Sequence, residues 1–246
     1  MQITLIHNPG AGSGGTRPDR ATLELLMRDA GHDVFYQSAK DEDWGEALKR
    51  PAELVVVAGG DGTVGRVARR LAGTGLPFTA LPLGTANNIS RTLGLIDHPL
   101  EAQPRHWAHA RRVKLDVGLA DGPWGKDHFI EGIGLGLFAW MMPMADESEK
   151  LARIKDPDEA LSYALRMLRR RLEEHAPEYI KATLDGNDIS GDYLMFEALN
   201  MPYIGPNLFL APDARFDDGL LDVVLVDEHS RAQLLEGIID LSLIHI

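Results

Sequence analysis

The chain has 246 residues, 44% of them hydrophobic, and a formal net charge of −12. This length and composition suffice to bury a hydrophobic core, whereas the acidic balance argues against a protein that binds nucleic acid through a basic face. The absence of cysteine excludes disulfides and thiolate metal sites and is typical of a cytoplasmic protein.

Strand and helix patterns alternate through the first 112 residues. The first helix is predicted to begin near Pro18, whose fixed φ suits the first helical position. Helices placed between successive strands imply right-handed crossovers and therefore a parallel sheet with helices on both faces. The predicted strands are Ile3–His7, Val34–Gln37, Leu54–Ala58 and Phe78–Leu81.

A glycine turn directly follows the third predicted strand, and a helix is predicted to open at Thr63. Gly59, Gly60 and Gly62 leave no side chain between the main chain and a ligand, and the helix that follows offers free N–H groups. These features predict a phosphate-binding turn. Asp61 would repel phosphate unless a cation or a proton lies between them, so its chemistry is that of a magnesium-binding or catalytic residue. The alternative is an ordinary tight turn in which Asp61 or Thr63 is the N-cap.

The second half of the chain, from Val113 to Ile246, has the pattern of an antiparallel β-rich domain. Asp-Gly turns separate its apolar runs, the first of which is predicted as a strand over residues 113–120, and one helix is predicted over Asp158–Glu174. The run of 14 uncharged residues from Gly132 to Ala145 is too short to span a membrane, so no transmembrane segment is predicted. We interpret this run as buried core, with contact to a membrane or a lipid as the alternative.

Two stretches match the pattern G-x-G-x-x-G, one formed by Gly10, Gly12 and Gly15 and the other by residues 60, 62 and 65. Neither is followed at the right distance by the acidic residue that would hold a ribose, and the chain contains no P-loop. The predicted phosphate site therefore belongs to neither of these two common classes.

Three motifs together resemble the diacylglycerol kinase catalytic family: NPGAG at residues 8–12, GGDGT at 59–63 and PLGTANN at 82–88. The likeness continues through FIEGIGLGLFA at 129–139 and APDARFDDGLLDV at 211–223. It implies a nucleotide-binding α/β domain with a parallel sheet, of the phosphofructokinase-like or NAD kinase-like type, over residues 1–112. A mainly antiparallel β-sandwich would follow over 113–246, with the active site between the two. GGDGT alone would also fit NAD kinases, but the PLGTANN motif favours lipid kinases.

The resemblance implies an enzyme that transfers the γ-phosphate of ATP to a hydroxyl of diacylglycerol or a related lipid. Asp61 would bind the magnesium of MgATP or orient the transferred phosphate. A structural Mg²⁺ would be bound by the carboxylate of Asp218 and the carbonyls of Arg215 and Leu220, and Asp116 would connect the two sites; the alternative at Asp218 is a simple hairpin turn. The nucleotide-binding residues would be Asn8, Ser38, Gly59, Gly60, Asp61, Gly62, Thr63, Val64, Gly65, Gly84, Thr85 and Asn87.

Two features depart from the family pattern. Asn88 occupies a position where many members carry aspartate, and the chain stops at Ile246 inside an apolar run. We therefore expect a C-terminally truncated chain without the family's general base, and sequence alone does not assign that role to Asp61, Glu131 or Asp116. The alternatives to a lipid kinase are an NAD kinase-like enzyme and a nucleotide-binding regulatory protein without catalysis.

The expected partner is a lipid substrate at a membrane surface. A cytoplasmic protein peripheral to the membrane would meet such a substrate, and no nucleic-acid partner is expected. The sequence leaves open which lipid is the acceptor and whether the chain forms a homo-oligomer.

Overall fold

The computed structural model describes residues 1–12, 17–146 and 148–244. Gly15, the last glycine of the first G-x-G-x-x-G match, lies outside the described residues, as do the last two residues of the C-terminal apolar run.

The first half of the chain forms a four-stranded parallel sheet, in agreement with the sequence prediction. Its strand order is β2-β1-β3-β4, with Ile3 of β1 in register with Val34 of β2 and Leu54 of β3. The elements of this half are β1 Gln2–His7, α1 Arg20–Asp29, β2 Asp33–Ser38, a 3₁₀ helix Trp44–Lys49, β3 Leu54–Gly59, α2 Asp61–Leu71, β4 Phe78–Pro82, α3 Asn88–Thr92, α4 Gln103–His106 and a 3₁₀ helix Trp107–His109.

The central strands β1 and β3 are buried because both of their faces carry apolar side chains, as expected for a parallel sheet covered by helices on both sides. On one face, Val55 and Val57 pack with Val64 and Val67 of α2. On the other face, the core includes Leu5, Val56, Leu23 and Met27, the last two from α1. The carboxyl ends of the strands consequently meet at one edge of the sheet.

Two predicted helix starts were wrong. Helix α1 begins at Arg20 because the side chain of Asp19 accepts a hydrogen bond from the N–H of Thr22 at 2.8 Å, which makes Asp19 the N-cap and leaves Pro18 outside the helix. Helix α2 begins at Asp61, two residues before the prediction, and its N-cap is Gly60. The N-cap that the tight-turn alternative assigned to Asp61 or Thr63 is therefore also wrong.

The second half is mainly antiparallel, as predicted, and its three-stranded sheet has the order β15-β12-β7. Helix α7 coincides closely with the helix predicted from the sequence. The elements are β5 Gly118–Gly122, β6 Gly125–Phe129, β7 Gly132–Gly136, α5 Leu137–Asp146, α6 Glu149–Arg153, α7 Pro157–Glu174, β8 Glu178–Ile180, β9 Thr183–Leu184, β10 Asn187–Asp188, β11 Gly191–Tyr193, β12 Met195–Leu199, β13 Tyr203–Ile204, β14 Leu208–Phe209, β15 Asp222–Val226 and α8 Arg231–Ile244.

The strand predicted over residues 113–120 begins only at Gly118. The backbone of Asp116 makes its hydrogen bonds to residues that are not in a strand. Its N–H donates to Phe216 O at 2.7 Å, and its carbonyl oxygen accepts from Asn200 Nδ2 at 2.9 Å. These contacts join residues before β5 to the later loop near Phe216.

The apolar run at residues 132–145 is only partly core, so the prediction of a buried segment was half right. Leu137, Phe138 and Met141 are buried against α7 and β12. In contrast, Trp140 and Met142 are 53% and 62% exposed, and in β7 the side chains of Ile133 and Leu135 are also exposed. Among the described residues, no helix is long and apolar enough to cross a membrane.

Candidate functional site

A cavity of about 850 Å³ opens where the carboxyl ends of the parallel strands meet. This edge is where open α/β sheets bind their ligands. Seven predicted site residues line it: Asn8, Gly60, Asp61, Gly62, Thr63, Gly84 and Thr85. The other lining residues are Ala11, Gly12, Ala39, Lys40, Asp41, Glu42, Trp44 and Arg66.

The N-terminus of α2 points into this cavity. The N–H groups of Thr63 and Val64 donate to Gly60 O at 2.9 and 3.0 Å, which starts the helix without a side-chain cap. The first N–H groups of a helix have no intrahelical partner, and the helix dipole adds partial positive charge there. This 11-residue helix therefore presents an end suited to an anion.

Two glycine turns contact each other at the wall of the cavity. A Cβ atom added to Gly60 would lie 2.9 Å from the Cα of Gly84, a distance that real Cβ contacts do not reach. The N–H of Leu83 also donates to Gly59 O at 3.0 Å. The GGDGT and PLGTANN motifs are consequently adjacent in space, and glycine at their contact lets the two backbones pack directly.

Asn8 ties the first loop to α2. Its Nδ2 donates to Thr63 Oγ1 at 3.1 Å, and its Oδ1 accepts from the N–H of Gly10 at 3.0 Å. The N–H of Asn8 bonds to Ala58 O at 2.9 Å, which extends the contact between β1 and β3. One side chain thus positions two walls of the cavity.

Asn87 shapes the second turn and does not line the cavity. It adopts a left-handed conformation with φ +56°, which asparagine tolerates better than most residues. Its Oδ1 accepts from Gly84 N and its Nδ2 donates to Gly84 O, both at 2.8 Å. These bonds close the turn that carries Thr85.

Two cations at the cavity, Lys40 and Arg66, were missed by the sequence analysis. Lys40 follows β2, and its Nζ lies above the first loop, 2.8 Å from where a Cβ of Gly10 would be. Arg66 donates to Ala39 O at 2.9 Å and lies over the ring of Trp44 at 4.8 Å. The rule that ligands bind at the carboxyl ends of parallel strands could have identified Lys40, whereas nothing in the sequence pattern marked Arg66.

Ser38, Gly59, Val64 and Gly65 do not line the cavity. Ser38 Oγ accepts from the N–H of Lys40 at 3.2 Å, so its contact is with the segment that carries a lining residue. Val64 is 1% exposed and packs in the core, and Gly59 is the last residue of β3.

Asp61 is the first residue of α2 and lies against the start of α3. Its Oδ1 accepts from the N–H of Ile89 at 2.9 Å. Burial raises the pKa of Asp61, and hydrogen bonding to the backbone of Ile89, Asn88 and Asn87 partly opposes that shift. The carboxyl group is therefore held against the start of α3, at the inner end of the predicted phosphate-binding turn.

A second carboxylate, that of Glu131, approaches Asp61 from the other half of the chain. Burial, with a further contribution from the charge of Asp61, raises the pKa of Glu131 to about 8. Asn88 Nδ2 donates to Glu131 Oε2 at 3.2 Å and to Gly205 O at 2.9 Å. The sequence analysis had named Glu131 without a role, and only the fold brings it beside Asp61.

The predicted metal turn at Arg215, Asp218 and Leu220 lies on an exposed loop. Asp218 Oδ1 accepts from the N–H of Leu220 at 3.0 Å, and Asp116 Oδ2 accepts from the N–H of Gly219 at 2.7 Å. Gly219 has φ +76°, the conformation of a turn glycine. One carboxylate and two carbonyls fit Mg²⁺ only if water supplies the remaining ligands, and the hydrogen bonds alone account for the turn.

Within the described residues, no group of three or more histidine, cysteine, aspartate or glutamate side chains could hold a metal ion. Any Mg²⁺ would therefore need, besides one or two carboxylates, oxygen ligands from the backbone, from amides or from a substrate.

Two family models match the chain. The model described as "Diacylglycerol kinase catalytic domain" matches residues 2–120. The model described as "YegS C-terminal NAD kinase beta sandwich-like domain" matches residues 144–242. The two halves of the fold thus resemble the two parts that the sequence motifs implied.

Individual proteins that are similar to this chain carry names from the same group of lipid kinases. A diacylglycerol kinase of Mycobacterium tuberculosis is 25% identical over 240 residues, which cover 95% of this chain and 76% of the relative. A probable YegS-like lipid kinase of Pseudomonas aeruginosa is 33% identical over a region that covers 74% of this chain and 57% of the length of that relative. The crystal structure of a diacylglycerol kinase from Bacillus anthracis has the same fold, with a TM-score of 0.68 at 24% identity over 96% of this chain and 77% of that one.

Proposed function

Since the chain belongs to the family that joins a diacylglycerol kinase catalytic domain to a YegS-type C-terminal domain, we propose that it transfers the γ-phosphate of ATP to a hydroxyl of diacylglycerol or a related lipid. The observation that carries the proposal is the position of Asp61. This carboxylate lies at the N-terminus of α2, on the wall of the 850 Å³ cavity and beside a residue of the second half. A phosphate bound there would lie between a nucleotide site and an acceptor site.

The nucleotide is proposed to bind in the cavity with its phosphates at the start of α2. The N–H groups of Gly62 and its neighbours would bind phosphate oxygens, while Lys40 and Arg66 would neutralise their charge. Asn8 and Gly84 keep the surrounding turns in place. The roles of all these residues, including those of Ser38, Thr85 and Asn87 around the turn, remain part of the proposal.

Phosphoryl transfer depends mainly on positioning and on charge stabilisation. Asp61 is proposed to orient the transferred phosphate from the inner end of the turn, held by the N–H of Ile89. Mg²⁺, when bound with the nucleotide, would supply neutralisation of the phosphate oxygens. The turn at Arg215, Asp218 and Leu220 is proposed as the place of a structural ion that stabilises this loop of the second half, residues 113–246.

The acceptor is proposed to be a lipid because an apolar surface begins beside Glu131. Ile133 and Leu135 of β7 have the two-residue spacing that places strand side chains on one face, and they are 38% and 55% exposed. Phe196 and Ala198 of β12 are their cross-strand partners. Acyl chains could lie along this face while the hydroxyl reaches the cleft, by which we mean the place where Asp61 of the first half and Glu131 of the second half come together. Such a position would place the enzyme at a membrane surface.

Radiolabelled ATP offered to the full chain with a panel of acceptors tests the proposal. Diacylglycerol, monoacylglycerol, ceramide, sphingosine and NAD would be supplied in separate reactions. Label in one of the lipids is the expected result. Label in NAD alone, or ATP binding without transfer to any acceptor, would replace the lipid kinase with one of the two alternatives.

A further inference from the structure

The backbone of Glu131 is fixed by buried contacts. The N–H of Asn200 donates to the carbonyl oxygen of Glu131 at 2.8 Å. Asn200 is itself 1% exposed, and its Nδ2 donates to the carbonyls of Ile130 and Asp116 at 2.9 Å each. The carboxylate of Glu131 is therefore brought to the cleft by the fold of the second half and is not a mobile surface group.

Asn88 lies beside both carboxyl groups of the cleft. The next N–H along the chain, that of Ile89, donates to Asp61 Oδ1 at 2.9 Å, and Asn88 Nδ2 donates to Glu131 Oε2 at 3.2 Å. The second bond of Nδ2, to Gly205 O at 2.9 Å, fixes the orientation of the carboxamide. Asn88 thus holds the two carboxyl groups near each other in a place from which most water is excluded, where it is unfavourable for both to carry a charge at once.

The other polar atom of that carboxamide, Asn88 Oδ1, has no hydrogen-bond partner in the described part of the chain, although the residue is 2% exposed. Buried polar atoms are nearly always paired, so such an atom points to a missing partner. Oδ1 belongs to the same planar group as Nδ2, which contacts Glu131 Oε2, and so it lies close to that carboxyl group. A cation satisfies all three groups, since Mg²⁺ is usually bound by one or two carboxylates, other oxygen ligands and substrate phosphates.

We propose that Glu131 is the second acidic ligand of the divalent cation that accompanies the nucleotide phosphates, with Asp61 and the amide oxygen of Asn88 as its partners. This inference rests on the proposed function for the presence of the nucleotide. Asp61 and Asn88 belong to the first half of the chain and Glu131 to the second. The cation would therefore link the two halves at the cleft when the nucleotide is bound.

The test compares the affinity of the full chain for a non-hydrolysable ATP analogue with and without Mn²⁺, measured by isothermal titration calorimetry. In the wild-type protein Mn²⁺ is expected to strengthen binding about tenfold or more. Glu131→Gln should reduce this gain at least about fivefold, and Glu131→Asp should restore part of it. Binding of the metal-free analogue should change little. Glu197→Gln is the matched control, because it also removes a buried acidic group of the second half, whereas the partners of Asn88 Nδ2 are Glu131 and Gly205.

An Mn²⁺-dependent gain of the same size in Glu131→Gln and the wild-type protein would overturn the inference. Circular dichroism and thermal unfolding of each variant confirm that a folded protein is compared. The calorimetric measurement uses no lipid, so the cation site at Glu131 and the lipid kinase function are tested independently of each other. Loss of the Mn²⁺ gain in Glu131→Gln supports the cation site even if no lipid is phosphorylated, whereas lipid phosphorylation with an unchanged Mn²⁺ gain removes only the role of Glu131.

Discussion

At the scale of single residues, Asn8 shows how one side chain organises the proposed nucleotide site. Asn8→Ala removes the bonds to Thr63 Oγ1 and to the N–H of Gly10. We expect a loss of about 1 kcal/mol of stability and an ATP affinity reduced roughly three- to tenfold, because the first loop loses its anchor to α2. Thr63→Ser keeps the hydroxyl and should bind ATP like the wild type in calorimetry. Equal affinities of Asn8→Ala and wild type would contradict the positioning role.

Glu197 gives a prediction about pH. It lies in β12 opposite Gly134 and Val224, is 2% exposed, and burial raises its pKa to about 8. Because the pKa in the folded state lies above the unfolded value, folding favours the protonated form. That contribution is complete below the unfolded pKa of about 4.5 and is lost as the pH rises through 8.

Urea denaturation of the wild-type protein and of Glu197→Gln at pH 6 and pH 9 measures this effect. The wild type should lose roughly 1–4 kcal/mol more stability between the two pH values than the variant, which stays neutral. Glu131 titrates in the same range, so the difference between the proteins is the decisive quantity. The exposed change Glu173→Gln is the control, and identical pH profiles of wild type and Glu197→Gln would refute the prediction.

The site residues that the sequence could predict are those on motifs with a local cause. Gly60, Asp61 and Thr85 belong to glycine turns whose backbone chemistry is visible in the sequence. The sequence could not place Glu131 and Arg66 at the site. Glu131 reaches it through the contact of the second half with Asn88, and Arg66 through the packing of α2 against Ala39. No spacing in the sequence encodes these contacts.

At the scale of elements, the contact between the two glycine turns leaves no room for a side chain at Gly60. Gly60→Ala would place a methyl group 2.9 Å from the Cα of Gly84 and force the turns apart. We expect a loss of about 1–3 kcal/mol and of most ATP binding.

Gly65→Ala is the matched control, since its added Cβ would meet no atom within 4 Å apart from its own helix backbone and chain neighbours, and the residue is inside α2. It should gain about 1 kcal/mol from helix propensity and keep ATP binding. Thermal unfolding and calorimetry of both variants make the comparison. Wild-type ATP affinity in Gly60→Ala would show that the contact is not needed for the site.

The exposed apolar face of strand β7 is where the lipid acceptor is proposed to bind. Leu135→Gln, on its 55% exposed apolar face, should raise the KM for the lipid severalfold and leave the KM for ATP unchanged, because only the lipid is proposed to contact this face. Leu25→Gln on α1, where the side chain is 59% exposed, changes a similar surface away from β7 and should have no effect. If Leu135→Gln behaves like Leu25→Gln with every lipid, the acyl chains do not lie on β7.

At the scale of the whole molecule, the sequence predicted the parallel sheet and the long helix of the second half better than it predicted where helices begin and which side chains are exposed. The parallel direction of the four strands follows from buried apolar strands separated by helices, and α7 follows from its leucine spacing, whereas the strand order β2-β1-β3-β4 was not predicted. The helix starts at Arg20 and Asp61 depended on capping geometry that Pro18 and Thr63 obscured. The exposed half of the run at 132–145 depended on strand orientation, which composition does not show.

The two halves meet at the cleft through contacts distant in sequence, above all Asn88 with Glu131 and with Gly205. The proposed division at residue 112 stays a prediction. Under the proposed function, the nucleotide would bind on one side of this division and the acceptor on the other, and the transferred phosphate would lie near Asp61.

The most direct test is phosphate transfer from γ-labelled ATP to diacylglycerol in detergent micelles, measured side by side for the wild-type chain and Asp61→Asn. We predict labelled lipid with the wild type and at least about a hundredfold less with Asp61→Asn, whose circular dichroism and unfolding temperature should remain close to wild type. Wild-type rates in Asp61→Asn would contradict the central role of this carboxylate, and the absence of label from every lipid with a folded, ATP-binding wild-type chain would contradict the proposed function itself.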